Sequence, residues 1–501
     1  MAAGLIPARS VRDRLLALPS IEPLLQAAAS TGSKGMLDET MLDSLLTRTE
    51  ILVVARTIAP IAEPEPVTPP RIHDLDHYKL ADFPMHAKDV DAEITVHFDI
   101  TGKSVTEGKK EDIQSCFNDR LKQIRRLILD KNLPNRPIAV NEAIRQRKQL
   151  TDRNNPFTII GLVNDPKTTK NGHLMFSLED ATGEVRCMLM QRDEEGPNQD
   201  IVHAGLMADD VIGVSGTFSQ SGDLVYVEDI HFPPLNQHKR RTAGEDQAVS
   251  AAFISDLHLG SKTFLEPQWH KMIQWFKEDP LAKTVRYLVI SGDGVDGVGI
   301  YPNQDKELNI LDLFNQYSRL GTMLQDLPDW VEVLLLPGNH DAVRPAEPQP
   351  ALDPELQTDY NNTLFVGNPC DFSLNGVRVL SYHGVSIMDF VASLRTVTFE
   401  TPEAAMRAMI DRRHLAPSWG GKTPLSPEPE DRLVIQEIPD IFVTGHVHGH
   451  HTETYKGVNL VHSSTWQDQT NYQRMLGFQP KPCILTVVNL HTHAMAAIPF
   501  V

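Results

Sequence analysis

The chain has 501 residues, 41% hydrophobic and 23% charged, with a formal net charge of −19. That length allows two or three domains at roughly 100–200 residues each. No run approaches the ~18 apolar residues of a membrane helix, so no membrane association and a cytoplasmic location are expected. Cys116, Cys187, Cys370 and Cys483 lie far apart without a CxxC pair, which argues against a disulfide frame or a sulfur-rich zinc site. The acidity argues against tight, unaided binding of nucleic acid, because phosphate contacts favour a basic face.

Residues 1–57 place Leu15, Leu16, Leu24, Leu25, Leu42, Leu45 and Leu46 at helical spacing and predict an N-terminal helical module. Residues 58–90 contain the acidic, proline-rich IAEPEPVTPPR and read as an extended linker. A helical module on such a tether is expected to dock a partner. Residues 91–150 form an α+β connecting region whose helix buries a stripe of Ile113, Cys116, Phe117, Leu121, Ile124, Leu127 and Ile128. Lys122, Arg125 and Arg126 occupy its other face.

Over residues 151–234 the period shortens. Five β-rich runs begin at Phe157, Leu174, Val185, Val211 and Leu224, with glycines at 172, 183 and 222 marking turns. The longest gap, Gln191 to Asp210, falls where an OB-fold barrel places its helix, so an OB-fold is expected. Phe157, Phe176, Phe218 and Tyr226 are the candidates for a base-stacking platform, with burial in the core as their alternative. Residues 235–250 form a polar hinge, and 251–501 form the unit that carries the chemistry.

In that unit five apolar runs, at Ala251–Ser255, Tyr287–Ser291, Val331–Pro337, Val377–Ser381 and Asp440–Thr444, each end in a short polar motif. The motifs are Asp256-Leu-His258, Gly292-Asp293, Gly338-Asn339-His340-Asp341, Tyr382-His383-Gly384 and Gly445-His446-Val447-His448. Strand followed by polar loop is the α/β plan in which ligands sit beyond the carboxyl ends of strands. Carboxylate, imidazole and one amide, without thiolate, suit Mn²⁺, Fe²⁺ or Zn²⁺ better than a structural zinc site. A carboxylate using both oxygens can bridge two cations about 3.5–4 Å apart with a hydroxide between them, a device for phosphoester hydrolysis.

This series of motifs resembles the calcineurin-like metallophosphoesterase superfamily. By that resemblance Asp256, His258, Asp293 and His448 hold one metal, and Asp293, Asn339, His383 and His446 hold the other. Asp293 would bridge, and His340 would be the catalytic residue, unliganded at the cleft, protonating the leaving oxygen or stabilising the transition state. Longer strings, among them ISDLHLGSKTFL, VDGVGIYPNQ, LPGNHDAVRPAEPQPAL, SYHGVSIMD and STWQDQTNYQRMLGFQPKPC, are similar to the small-subunit family of archaeal family-D DNA polymerases; DITGKS, from Asp99, adds to the likeness. The resemblance implies a multidomain α/β chain: an α/β-sandwich phosphoesterase preceded by an OB-fold barrel and a helical module. It implies a 3′–5′ exodeoxyribonuclease with two divalent metal ions, Mn²⁺ favoured and Mg²⁺, Fe²⁺ or Zn²⁺ as alternatives. It further implies partnership with a large catalytic polymerase subunit and with DNA carrying a 3′ end. No QxxLxxFF-type motif is read, which leaves a sliding-clamp contact open. The alternatives are a scaffold without catalysis, and a phosphomonoesterase or cyclic-nucleotide phosphodiesterase. Gly294, where a bulkier apolar residue is expected, predicts a loosened loop around Asp293; His450 and His451 are expected to be solvated or to support the ligands. His270, His414 and His462 are expected to satisfy local hydrogen bonds only.

Overall fold

The computed structural model describes residues 5–7, 35–37 and 86–501, apart from 132, 192–197, 236–237 and 476–477. Two short strands, β1 (Leu5–Pro7) and β2 (Gly35–Leu37), pair in parallel. They belong to a unit, Met1–Arg71, separate from Ile72–Val501. The leucines that predict helices in the first unit, and residues 58–85 of the proline-rich segment, lie outside the described residues.

In the second unit β3 (Ile94–Phe98), α1 (Lys110–Leu129) and α2 (Val140–Arg145) precede a barrel. The barrel consists of β4 (Phe157–Thr168), β5 (Leu174–Asp180), β6 (Gly183–Leu189), a short α3 (Gln199–Ala204), β7 (Val211–Phe218) and β8 (Val225–His231). It closes in the order β4-β5-β6-β8-β7, which leaves no long edge to aggregate. Alternate residues, such as Phe176, Leu178, Val185, Cys187 and Val214, fill its interior. Phe157, Phe176 and Phe218 are buried, the first and last stacked at 5.1 Å. Three of the four aromatic candidates are therefore core, and Tyr226 alone of them is half-buried.

The remainder contains β9 (Ser250–Ile254), α4 (Glu266–Glu278), β10 (Val285–Ser291), α5 (Leu313–Leu324), β11 (Glu332–Leu336), β12 (Thr363–Phe365), β13 (Cys370–Leu374), β14 (Val377–Ser381), α6 (Ile387–Ser393), α7 (Pro402–Arg412), β15 (Ile441–Thr444), β16 (His451–Tyr455), β17 (Val458–His462), α8 (Asn471–Met475), β18 (Ile484–Asn489) and β19 (Met495–Pro499). The strands make two six-stranded sheets, β12-β11-β10-β9-β18-β19 and β16-β17-β15-β14-β13-β3. Strand period decides the layers. Ala251, Phe253, Val289 and Leu334 of the first sheet meet Phe372, Val379, Ile441 and Val443 of the second. Their neighbours Ala252, Ile254, Leu288 and Leu335 turn outward onto Trp269, Phe276, Tyr317 and Leu320 of α4 and α5. Leu380, Phe442 and Leu460 turn onto Phe390, Met406 and Met409 of α6 and α7.

The end of the predicted linker and part of the connecting region join this sandwich. Ala87 and Val90 pack in its interior, and β3 pairs with β13 at the edge of the second sheet. Buried Arg120 on α1 donates to Asp431 at 2.6 Å and to the carbonyls of Asp209 and Pro417. Arg412 donates to Asp210 at 3.1 Å. Through these pairs the barrel is held to the sandwich by matched buried charges. Among the described residues no helix is long and apolar enough to cross a membrane.

Candidate metal centre

Parallel register levels the strand ends: Ile290 pairs with Ile254, Ser291 with Leu336 and Ser381 with Val443. The loops after β9, β10, β11, β14 and β15 therefore leave their sheets at carboxyl ends, and they bring all eight sequence-predicted side chains to one cleft. Asp256, His258, Asp293, His383 and His448 are buried, while Asn339, His340 and His446 are partly open.

Three groups of converging donor atoms result: Asp256, His258 and His448; Asp293, His383 and His446; and, behind the first, His258, Asp296 and His340. In the first, Nε2 of His448 lies 3.5 Å and Nε2 of His258 3.8 Å from Asp256 Oδ1. In the second, Nε2 of His383 lies 3.3 Å from Asp293 Oδ2 and 3.1 Å from Asn339 Oδ1. Asp293 Oδ2 is also 3.7 Å from Nε2 of His258, so one carboxylate oxygen faces both of these groups.

The donor set fits hard-to-borderline divalent cations. Asp256 supplies a direct test of that fit. Its Oδ2 accepts from the Ser255 hydroxyl at 2.5 Å and the His446 amide at 2.9 Å. Its Oδ1 is buried with no hydrogen-bond partner among the described residues. A buried, unsatisfied carboxylate oxygen is costly, and a cation seated among His258, His448 and Asp256 would satisfy it.

The electrostatics favour positive charge at the same place. Burial lowers the proton affinity of His258, but Asp296, Asp293 and Asp256 overcome this and bring its pKa up to about 9. Burial likewise opposes His383, and Asp293 and Asp256 raise it to about 10. Burial alone would lift the Asp293 carboxyl, yet the imidazoles of His383, His340 and His258 hold it well below the usual carboxylate range. His446 is pushed down to about 3 by burial and by His383. A field that stabilises protons on two imidazoles stabilises divalent cations in their stead.

The backbone is strained to build this cleft. Asp256, His258, Asp293, His446 and His448 have φ of 54°, 49°, 52°, 74° and 52°, a region costing on the order of 1 kcal/mol or more for a residue with a side chain. Two glycines make room. Gly292, at φ 97°, passes so close to His383 that a Cβ would overlap its Nδ1. A Cβ on Gly338 would overlap the Asp293 carboxylate and amide.

Several supporting residues escape the sequence motifs. Asp296, three residues beyond Asp293, accepts from His258 Nδ1 at 2.9 Å through its carboxylate and from His340 Nδ1 at 2.8 Å through its carbonyl. Asp341, part of the GNHD motif but without an expected role, accepts from the amides of Gly338 at 2.8 Å and Gly294 at 3.2 Å and from the Tyr317 hydroxyl at 2.9 Å. Burial, then Asp293, raises its pKa to about 6. These bonds correct the expectation at Gly294: the loop is pinned, and a Cβ there would press on Leu320 at 3.0 Å. The Gln473 amide closes on Nδ1 of His448 at 2.8 Å. A carboxylate three positions after a motif Asp is a signal the sequence carries for Asp296. For Gln473 it carries none.

The remaining histidines stand apart from the donor groups. His450 meets the Thr486 hydroxyl at 3.0 Å, His462 that of Thr444 at 2.9 Å, and His414 the Asp431 carboxylate at 3.1 Å. His451 lies 3.9 Å from Glu403 and from Glu453, and His270 lies 3.9 Å from Glu266.

Residues 251–453 match the sequence profile of the DNA polymerase alpha/epsilon B-subunit family. Among curated proteins, the DNA polymerase II small subunit of Archaeoglobus fulgidus is 38% identical over 394 residues, covering 77% of this chain and 76% of the relative. That of Thermoplasma acidophilum is 36% identical over 394 residues, with 78% of each covered. The Methanocaldococcus jannaschii protein is 36% identical over 416 residues, 81% of this chain and 68% of its own. A solved archaeal phosphodiesterase covers 50% of this chain at 12% identity and a TM-score of 0.26, too slight a likeness to carry argument. The identities, held over most of both chains, establish that this protein belongs to the DNA polymerase II small subunit family of replicative polymerases.

Proposed function

We propose that this chain is the proofreading 3′–5′ exodeoxyribonuclease of a heteromeric replicative polymerase. The observation that carries the reading is Asp293 Oδ2, within 3.7 Å of His258 and 3.3 Å of His383, one oxygen facing two donor groups. Asp256, His258, Asp293 and His448 would hold one divalent cation, and Asp293, Asn339, His383 and His446 the second. When bound, the pair supplies an activated water and charge neutralisation at the phosphoryl group, with Mn²⁺ the favoured ion.

The chain's own residues do the rest. Nδ1 of His340 donates to the Asp296 carbonyl, which leaves Nε2 as the atom that can present a proton to the cleft. Hydrolysis adds water across the phosphorus–oxygen bond. The attacking water gives a proton to solvent, the bond to the 3′ oxygen of the retained strand breaks, and His340, entering as the imidazolium, gives its Nε2 proton to that oxygen and regains one from solvent. The products are a nucleoside 5′-monophosphate and a strand with a new 3′ hydroxyl. His340 is one of three partly open members of the site, its side chain 17% exposed, as a group that must meet substrate should be.

The barrel order β4-β5-β6-β8-β7, with α3 between its third and fourth strands, supports an OB-fold. We assign residues 1–57 to a docking module, 58–85 to a linker, 99–150 to a connecting region, 151–234 to the OB-fold, 235–249 to a hinge, and 250–501 together with 86–98 to the phosphoesterase domain. The relatives' name, a small subunit, supports a large catalytic subunit as partner. Substrate scope tests the reading. Oligonucleotides shortened from the 3′ end, with p-nitrophenyl phosphate spared, support it; brisk hydrolysis of that monoester with oligonucleotides intact contradicts it.

A further inference from the structure

Immediately past Asp296 the chain presents Val298, Ile300 and Tyr301, which are 44%, 42% and 37% exposed. Scattered apolar exposure is ordinary, but three exposed apolar side chains within four residues, next to a polar cleft, point to a binding surface. These side chains are exposed on a braced loop. Buried Gln304 accepts from the Ile300 amide at 2.9 Å and donates to the Asp296 carbonyl at 2.8 Å. Gln316, also buried, accepts from the Gly297 amide at 3.0 Å and donates to the Gly297 carbonyl at 3.1 Å. The Tyr301 hydroxyl is held by Glu307 at 3.0 Å. The Tyr301 ring lies edge-on to His340, centroids 6.4 Å apart. A preorganised aromatic and aliphatic rim therefore stands on the His340 side of the cleft.

We infer that Tyr301, flanked by Ile300 and Val298, forms the subsite for the nucleobase on the leaving-group side of the scissile bond. The inference rests on the nuclease reading above and extends it to substrate recognition. His340 delivers its proton to the leaving 3′ oxygen, so the sugar nearest the rim belongs to the nucleotide that keeps that oxygen, the penultimate one. Stacking suits a chain of net charge −19, because a π-face holds a base without a basic surface to hold its phosphates. A base received on Tyr301 must leave its complement. Unpairing costs least at a mismatched end, so the rim makes a frayed 3′ end the preferred substrate.

The test is steady-state hydrolysis by the full chain with Mn²⁺. The substrates are a single-stranded oligonucleotide, the same strand with a tetrahydrofuran abasic residue at the penultimate or the terminal position, and base-free bis(p-nitrophenyl) phosphate. Tyr301→Ala is expected to lower kcat/KM on the oligonucleotide about 5- to 100-fold, mainly through KM, with Tyr301→Phe restoring it. The penultimate abasic residue should cost the wild type as much as the substitution does, and cost Tyr301→Ala nothing more. Independent losses from substitution and abasic site, or an effect confined to the terminal position, would each overturn the inference while leaving the nuclease reading standing. A wild-type chain that cleaves bis(p-nitrophenyl) phosphate and leaves the oligonucleotide intact overturns the nuclease reading, and the inference with it.

Discussion

The carboxylate of Asp296 accepts a hydrogen bond from Nδ1 of His258 at 2.9 Å, which fixes the imidazole so that Nε2 faces the Asp256 and Asp293 carboxylates. A carboxylate behind a ligating imidazole sets both its tautomer and its basicity. Asp296→Asn is therefore expected to weaken cation binding about 10- to 100-fold while His340, held by the Asp296 backbone, stays in place. Titration calorimetry with Mn²⁺ reads this directly. An unchanged affinity would remove Asp296 from the centre.

His340 lies at the open side of the cleft and converges with His258 and Asp296 rather than with the two groups that Asp256 and Asp293 anchor. His340→Ala should lower kcat roughly 10²- to 10⁴-fold, the range for a lost general acid, with metal content near that of the wild type. Atomic absorption on the purified variant decides the point. Loss of metal along with activity would make His340 a ligand.

Gly338 approaches Asp293 so closely that any side chain collides with its carboxylate. Gly338→Ala is expected to displace Asp293 and weaken both cation sites, at an overpacking cost of about 1–3 kcal/mol. The measurements are Mn²⁺ affinity and thermal stability of the variant. Full affinity would mean that the loop after β11 can shift without disturbing Asp293.

Acid stability follows from the cluster that ties α1 to the sandwich. His414 accepts from the Ala416 amide through Nδ1 at 3.1 Å and meets Asp431 through Nε2 at 3.1 Å. Both nitrogens are thus used in the neutral ring, and burial, then the Arg120 charge, lowers its pKa. A depressed folded pKa means stability fully present above the unfolded value of about 6.5 and lost as pH falls through the folded one. His414→Gln should flatten the fall of Tm below about pH 6.5 relative to the wild type. Asp431 is also depressed: burial opposes its charge, and Arg120 and His414 outweigh burial. Its contribution is lost only below about pH 4. Asp431→Asn should cost about 3–5 kcal/mol at neutral pH, since it strands buried Arg120. Identical Tm profiles for His414→Gln and wild type would contradict this assignment.

The strands that carry the site were legible because β9, β10 and β11 are covered on both faces and read as nearly unbroken apolar runs ending in polar loops. The eight cleft residues were legible for the same reason: each sits within a few positions of such an end. What escaped depends on distant pairing. Ile94–Phe98 has a mostly exposed pattern of its own and becomes a strand through β13, more than 270 positions away. Arg120 lies outside the apolar stripe of α1, and its partner Asp431 is 311 residues on. Gln473 reaches His448 only because α8 folds back over the cleft. At Gly294 local reading predicted looseness, because the Asp341 carboxylate that pins the loop arrives from the next strand.

The most direct measurement uses a 5′-labelled primer with a mismatched 3′ end, annealed to template and incubated with the full chain. Mn²⁺ and Mg²⁺ are compared with a metal-free arm and with Asp293→Asn, which removes the carboxylate facing both donor groups. The account predicts a metal-dependent ladder shortening from the 3′ end and releasing nucleoside 5′-monophosphates, absent from Asp293→Asn. An intact primer under every metal condition, alone and with the large subunit added, would contradict it and leave the chain a scaffold.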